Sequence, residues 1–90
     1  MIIAKVIGNV WATKKDDSLN GLKFFVVLPC KGEASQSFVA VDAAGAGIGD
    51  HVLVSQGSSA RVLFRDGTVP VDAVIVGIID SVEVDESLLG

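Results

Sequence analysis

The chain has few of the residues on which chemistry is usually built. Its 90 residues include one cysteine, one histidine, one tryptophan and no tyrosine. Cys30 alone cannot close an intrachain disulfide, and together with His51 it falls short of a four-ligand zinc site. A reduced, cytosolic protein without a structural metal or cofactor is expected. Nucleophilic catalysis needs a base held beside Ser, Cys or Thr. His51 pairs on paper with Asp50 and with Ser58 or Cys30, but no nucleophile elbow or comparable local motif joins them. A strand-end histidine is the expected reading, and the chain is expected not to be an enzyme.

Positive charge is also scarce. Lys and Arg number 7 against 11 Asp and Glu, for a net charge of −4. The basic pair Lys14-Lys15 runs straight into Asp16-Asp17. Phosphate-backbone binding calls for clustered cations, so nucleic acid is not an expected partner. The longest apolar stretch covers residues 73–79, well short of the ~20 residues of a spanning helix, so no membrane association is expected. The first five residues place apolar side chains before the first charge and lack the pattern of a secretory signal.

Hydrophobic residues, in contrast, are abundant: they make up 50% of the chain, against 20% charged. A single small domain buries only roughly 60–65% of the surface its unfolded chain exposes. The excess apolar surface has to lie outside, and such patches mark association. An obligate oligomer is the first physical expectation.

The pattern of those residues is that of β-strands. Over residues 2–13, Ile2, Ala4, Val6, Gly8, Val10 and Ala12 alternate with Ile3, Lys5, Ile7, Asn9, Trp11 and Thr13. The first set is assigned to the core. The second mixes large apolar and polar groups, which makes Ile3, Ile7 and Trp11 candidates for a subunit interface. Asn20-Gly21 closes a polar turn, and residues 22–28 form a second strand that is apolar on both faces and stops at Pro29. Third and fourth strands are expected over 36–43 and 51–56. A fifth, over roughly 72–84, has Val74, Val76, Ile78 and Val82 on one face and Ala73, Ile75, Gly77 and Ile79 on the other. Gly57-Ser58-Ser59 opens a short helix reaching Phe64, with a serine as N-cap. Five short strands with regular turn signals predict an all-β, five-stranded closed barrel, whose closure removes exposed edges. Residues 1–83 form this domain and 84–90 a C-terminal tail.

The remaining motifs have structural explanations. Asp42, Asp50, Asp66, Asp72 and Asp80 lie at strand ends or turns, where aspartate accepts from backbone amides. Asp80 interrupts an apolar strand and would need a partner such as Arg61 if buried. The segment Gly45-Ala46-Gly47-Ile48-Gly49-Asp50 lacks the Gly-Lys-Ser/Thr ending of a phosphate loop and precedes a strand. A barrel corner is favoured there. Its use as a backbone nest in a small-molecule or anion-binding barrel is the alternative reading. Phe24 and Phe25 are flanked by apolar residues, as core packing requires.

Several segments carry a family likeness. Gly8-Asn9-Val10-Trp11-Ala12-Thr13-Lys14 and Gly21-Leu22-Lys23-Phe24-Phe25-Val26-Val27 resemble the opening of the EutN/CcmL family of microcompartment vertex proteins. The likeness continues through Val39-Ala40-Val41-Asp42-Ala43-Ala44-Gly45-Ala46-Gly47-Ile48-Gly49-Asp50, then Gly57-Ser58-Ser59-Ala60-Arg61 and the run from Pro70 to Asp80. Each motif is modest, but in this order they are specific. The resemblance implies a barrel like the oligonucleotide-binding fold, put to architectural use. It further implies a homopentamer at the five-fold vertices of a polyhedral shell in the cytoplasm, set between hexameric shell tiles. A closed ring needs two different complementary patches per subunit. The outer faces of the first and last strands are expected to supply them, adding Val76 and Ile78 to the interface candidates. The family also implies a narrow axial opening, assigned to Gly57, Ser58 and Ser59. Trp11 is bulkier than the small or β-branched residue the resemblance leads one to expect.

Overall fold

The computed structural model describes residues 1–13, 15–57, 60 and 70–89 of the chain. Five strands, β1 (Ile2–Val10), β2 (Phe24–Pro29), β3 (Phe38–Asp42), β4 (His51–Gln56) and β5 (Ala73–Ile78), close into a barrel in the order β1-β2-β3-β5-β4. All neighbouring strands are antiparallel except β3 and β5, which run parallel through Val41 opposite Val74 and Asp42 opposite Ile75. A parallel pair needs a long crossover. Here the crossover consists of β4 and the connection that follows it.

The all-β, five-stranded barrel expected from the sequence is therefore the fold observed. Among the described residues there is no α-helix; isolated 3-10 turns lie at Asp17–Leu19, Ala34–Gln36 and Glu86–Leu88, and Gly57 and Ala60 also take 3-10 conformation. The short helix expected over residues 57–64 lies, apart from Gly57 and Ala60, outside the described residues. The hairpin turn at Asn20-Gly21 behaves as its composition requires, with Gly21 at φ 83°.

The barrel interior is filled by small and β-branched residues. Ala4 and Val6 of β1, Val27 of β2, Val52 and Val54 of β4, and Ile75 of β5 have no measurable exposure and form one cluster with Phe25, Ala40, Ala46 and Ala73. Each fully buried valine or isoleucine contributes about 1.5–3 kcal/mol relative to an exposed one. A second cluster lies on the outside of the barrel, where Val41, Ala60, Val71 and Val74 pack with Leu19, Leu22, Phe24 and Val76. This explains why β5 is apolar on both faces: Ile75 fills the interior while Val74 is covered from outside.

Two bulges break the alternation read from the sequence. In β1, Val6 stands opposite Val27 and Gly8 opposite Val26, which leaves Ile7 as an extra residue. Val27 is an interior residue and Val26 its outward neighbour, so the bulge reverses the facing of the rest of β1. Gly8 and Val10 consequently leave the core face and join Val26 and Phe24 on the outer one. The expectation that all even residues from Ile2 to Ala12 face the core holds only as far as Val6. In the β4–β5 ladder Leu53 pairs with Gly77 and Val54 with Ile75, which makes Val76 the extra residue.

The last strand is shorter than expected. β5 ends at Ile78, and the N–H of Ile79 makes one further bond, to the His51 carbonyl at 2.8 Å. His51 begins β4, so residues 80–84 have no partner strand to extend along. Val82 and Val84 are exposed, and the assignment of Val82 to a buried strand face is corrected accordingly. Asp80 is exposed as well, so it carries no burial cost to be offset. Its suggested partner, Arg61, lies outside the described residues.

Candidate functional site

The loop between β3 and β4 is where an anion would bind if the glycine segment were a nest. Most of its amides are already engaged. The Asp42 carboxylate accepts from the N–H groups of Ala44 at 3.0 Å, Gly45 at 3.1 Å and Ala46 at 3.1 Å. Asp50 Oδ2 accepts from the Gly47 N–H at 2.9 Å, and the Gly49 N–H donates to the Val6 carbonyl at 2.9 Å. Gly45 and Gly49 take φ of 80° and 91°, a region other residues rarely adopt. The loop is thus a self-satisfied corner carrying its own two carboxylates. Their negative charge disfavours an external anion, and the ligand-binding alternative loses its proposed site.

The catalytic pairing fares no better. His51 is exposed at the start of β4 and stands opposite Lys5 in the β1–β4 ladder, while the Asp50 carboxylate is turned to Gly47. Cys30 is exposed, and its N–H donates to the Ile3 carbonyl at 3.0 Å. Ser58 lies outside the described residues. Among the described residues no three His, Cys, Asp or Glu side chains group as metal ligands.

What remains is the outer surface of the barrel. Ile3, Leu53 and Gly77 form a row across β1, β4 and β5, and the two large side chains are half-buried. On the other side, Gly8, Val26 and Val39 form a row across β1, β2 and β3. Ile7, Val39 and Ile78 are between 43% and 48% exposed. The barrel therefore presents apolar rows on two separate faces.

The residues singled out from the sequence occupy different parts of this surface. Ile3 and Ile7 lie on β1 as expected, whereas Trp11 is beyond the end of the strand and 91% exposed. Val76 and Ile78 are separated by the bulge. Val76 packs against the outer cluster, and Ile78 stands opposite the buried Val52 at the end of its strand. Gly57 is exposed, with φ 72° and its N–H bonded to the Asp72 carbonyl at 2.7 Å. Ser58 and Ser59 lie outside the described residues. Val26, Val39 and Leu53 were not singled out in advance. The signal that locates them is a strand apolar on both faces, which becomes specific only once the sheet register is known.

Comparison with known proteins accounts for this combination of a filled barrel and an apolar exterior. Residues 1–80 match the family model described as ethanolamine utilisation protein EutN/carboxysome. The carboxysome shell vertex protein CcmL of Thermosynechococcus vestitus is 46% identical over 92 residues, covering 99% of this chain and 93% of that protein. The bacterial microcompartment shell vertex protein GrpN of Rhodospirillum rubrum is 43% identical, covering 92% and 97%. Among solved structures, CcmL of Gloeobacter violaceus superposes with a TM-score of 0.84 at 41% identity, covering 94% of this chain and 91% of that one. The pentameric microcompartment shell protein GrpN from Rhodospirillum rubrum gives 0.81 at 42% identity, covering 94% and 100%. With residues 1–80 matching the family model and relatives this similar over more than nine-tenths of their lengths, the chain belongs to the EutN/CcmL family.

Proposed function

We propose that this protein is a structural subunit of a bacterial microcompartment shell, forming homopentamers that cap the shell's vertices in the cytoplasm. The observation that carries the reading is the pair of apolar rows on different faces of one barrel. A cyclic ring is heterologous: each subunit offers one patch to its left neighbour and a different one to its right. Ile3 and Leu53 on one side, with Val26 and Val39 on the other, are suited to that arrangement. Ile7 at the β1 bulge extends these surfaces and Val76 supports them from the outer cluster, while Ile78, in the row of Val52, adds its exposed part where β5 leaves the end of the barrel. The rim of the ring then meets hexameric shell tiles, and Gly57 borders the axial opening. The function is geometric and needs no catalytic group; close relatives are shell vertex proteins.

The test is the native mass of the ligand-free protein, by light scattering coupled to size exclusion across a dilution series. A five-subunit mass that persists on dilution is expected. Ile7→Asp and Val39→Asp should each lower it, because a carboxylate placed in an apolar contact is costly to desolvate. A monomer at all concentrations would overturn the reading.

A further inference from the structure

We propose that the acidic tail of one subunit, with its Leu88-Leu89 pair, docks into a groove between the end of β1 and the start of β2 on a neighbouring copy. The inference rests on the ring assembly above. Past β5 the chain is exposed from Asp80 to Leu89, yet it is not featureless. The Asp85 carboxylate accepts from Ser87 Oγ at 2.6 Å and from the Ser87 N–H at 3.0 Å, which caps the turn Glu86–Leu88. A locally ordered turn thereby holds out two large apolar side chains, Leu88 at 81% and Leu89 at 68% exposure. Exposed leucines on an ordered segment lose hydrophobic stabilisation unless something covers them.

A groove of about 330 Å³ lies between the end of β1 and the start of β2. Val10, Trp11, Leu22 and Phe24 supply apolar walls, and Lys15 and Lys23 stand at its edge. Lys15 Nζ donates to the Ala12 carbonyl at 3.3 Å, which fixes its ammonium beside the groove. Residues 80–89 carry Asp80, Glu83, Asp85 and Glu86 and no cation. Groove and tail are therefore complementary in both respects: apolar walls for Leu88 and Leu89, two lysines for the acidic residues before them. The volume lies near the lower limit for clefts that take small ligands. Docking also gives Trp11 a cover, which its near-complete exposure in the single subunit otherwise lacks.

Trp11 is the sole tryptophan, so its emission reports on the groove directly. In the intact protein its fluorescence should be shielded from acrylamide and blue-shifted, and deletion of residues 84–90 should remove both effects. A synthetic peptide of residues 80–89 added to the deleted protein should restore them. Leu88→Ser or Leu89→Ser in the peptide should weaken its binding about tenfold, and Lys23→Glu in the protein should weaken it further at low salt than at high salt. To identify the donor, Trp11→Phe chains that keep the tail are co-assembled with tail-deleted chains that keep Trp11. Shielding in this mixture is expected, since the tail comes from a neighbour. Equal accessibility of Trp11 with and without the tail overturns docking, and shielding only when tail and Trp11 share a chain overturns the neighbour assignment. Native mass is read in parallel: a pentamer with an unshielded Trp11 sinks this proposal alone, whereas a monomeric intact protein sinks the ring.

Discussion

Gly8 stands across the β1–β2 ladder from Val26, and a Cβ built on it would lie 3.7 Å from the Val26 Cβ. The two residues share the outer face because Ile7 is inserted between Val6 and Gly8. A single extra residue thus converts a run of even-numbered core positions into one that changes sides halfway. The bend places Val10 beside Phe24, at the groove rather than in the interior.

This relationship predicts an asymmetry between two deletions. Removing Ile7 takes out the bulge and leaves Val6 inward and Gly8 outward, so the interior packing is kept. Removing Lys5 inverts Ile2, Ile3 and Ala4 relative to the rest of the strand, exposing Ala4 and burying Ile3. Thermal unfolding should show the Lys5 deletion to be the more destabilising by several kcal/mol, on the order of one lost core side chain or more.

The β3–β4 corner depends on Asp42. Asp42→Ala leaves the amides of Ala44, Gly45 and Ala46 without their acceptor, and Ala46 is buried. A loss of about 2–3 kcal/mol is expected, measured as a lower denaturant midpoint with an unchanged slope. Gly49→Ala, at φ 91°, should cost on the order of 1–2 kcal/mol by forcing a side chain into the left-handed region.

Two isoleucines of β5 should behave differently. Ile75 is fully buried in the interior, and Ile75→Ala should cost about 2–5 kcal/mol of fold stability. Ile78 is 43% exposed, so Ile78→Ala should leave unfolding of the isolated subunit much less changed. Any larger effect of Ile78→Ala should be seen in the dissociation of the ring on dilution.

The turn of the tail has its own pH dependence. The Ser87 hydroxyl first, and the Ser87 amide second, hold the Asp85 carboxyl below its ordinary value of 3.8. A carboxyl lowered in the folded state contributes order that is fully present above that ordinary value and is lost as pH falls through the lower, folded one. The Ser87 amide should therefore become less protected from exchange below pH of about 4. The Asp85 carboxyl resonance should titrate below 3.8, and Asp85→Asn should abolish the transition.

Much of this protein was legible in its sequence. The strands β1 to β4 were placed within a few residues because β-branched runs and glycine or proline punctuation are local signals. The His51–Gln56 strand was bounded correctly at both ends. Turn aspartates and turn glycines were read correctly at Asp42, Asp50 and Gly21 for the same reason. The end of β5 was misplaced because a strand lasts only as long as its neighbour, and the start of β4 at His51 is invisible from within residues 79–84. The facing of β1 past Val6 and of β5 past Ile75 was misread, since an alternation argument cannot register a bulge.

Composition and pattern by themselves determined that this chain forms an all-β barrel with more apolar side chains than the barrel interior takes up. They also left no coherent catalytic or metal-binding set, and their motifs carried the family likeness. Tertiary structure decided which apolar residues are core and which are surface. Side-chain facing in a strand depends on register, register depends on the partner strand, and one inserted residue at Ile7 or Val76 reverses the facing that follows. The filling of the glycine corner by Asp42 and Asp50 was decided in the same way, since a loop's amides are free or spent only once the folded backbone fixes what they face.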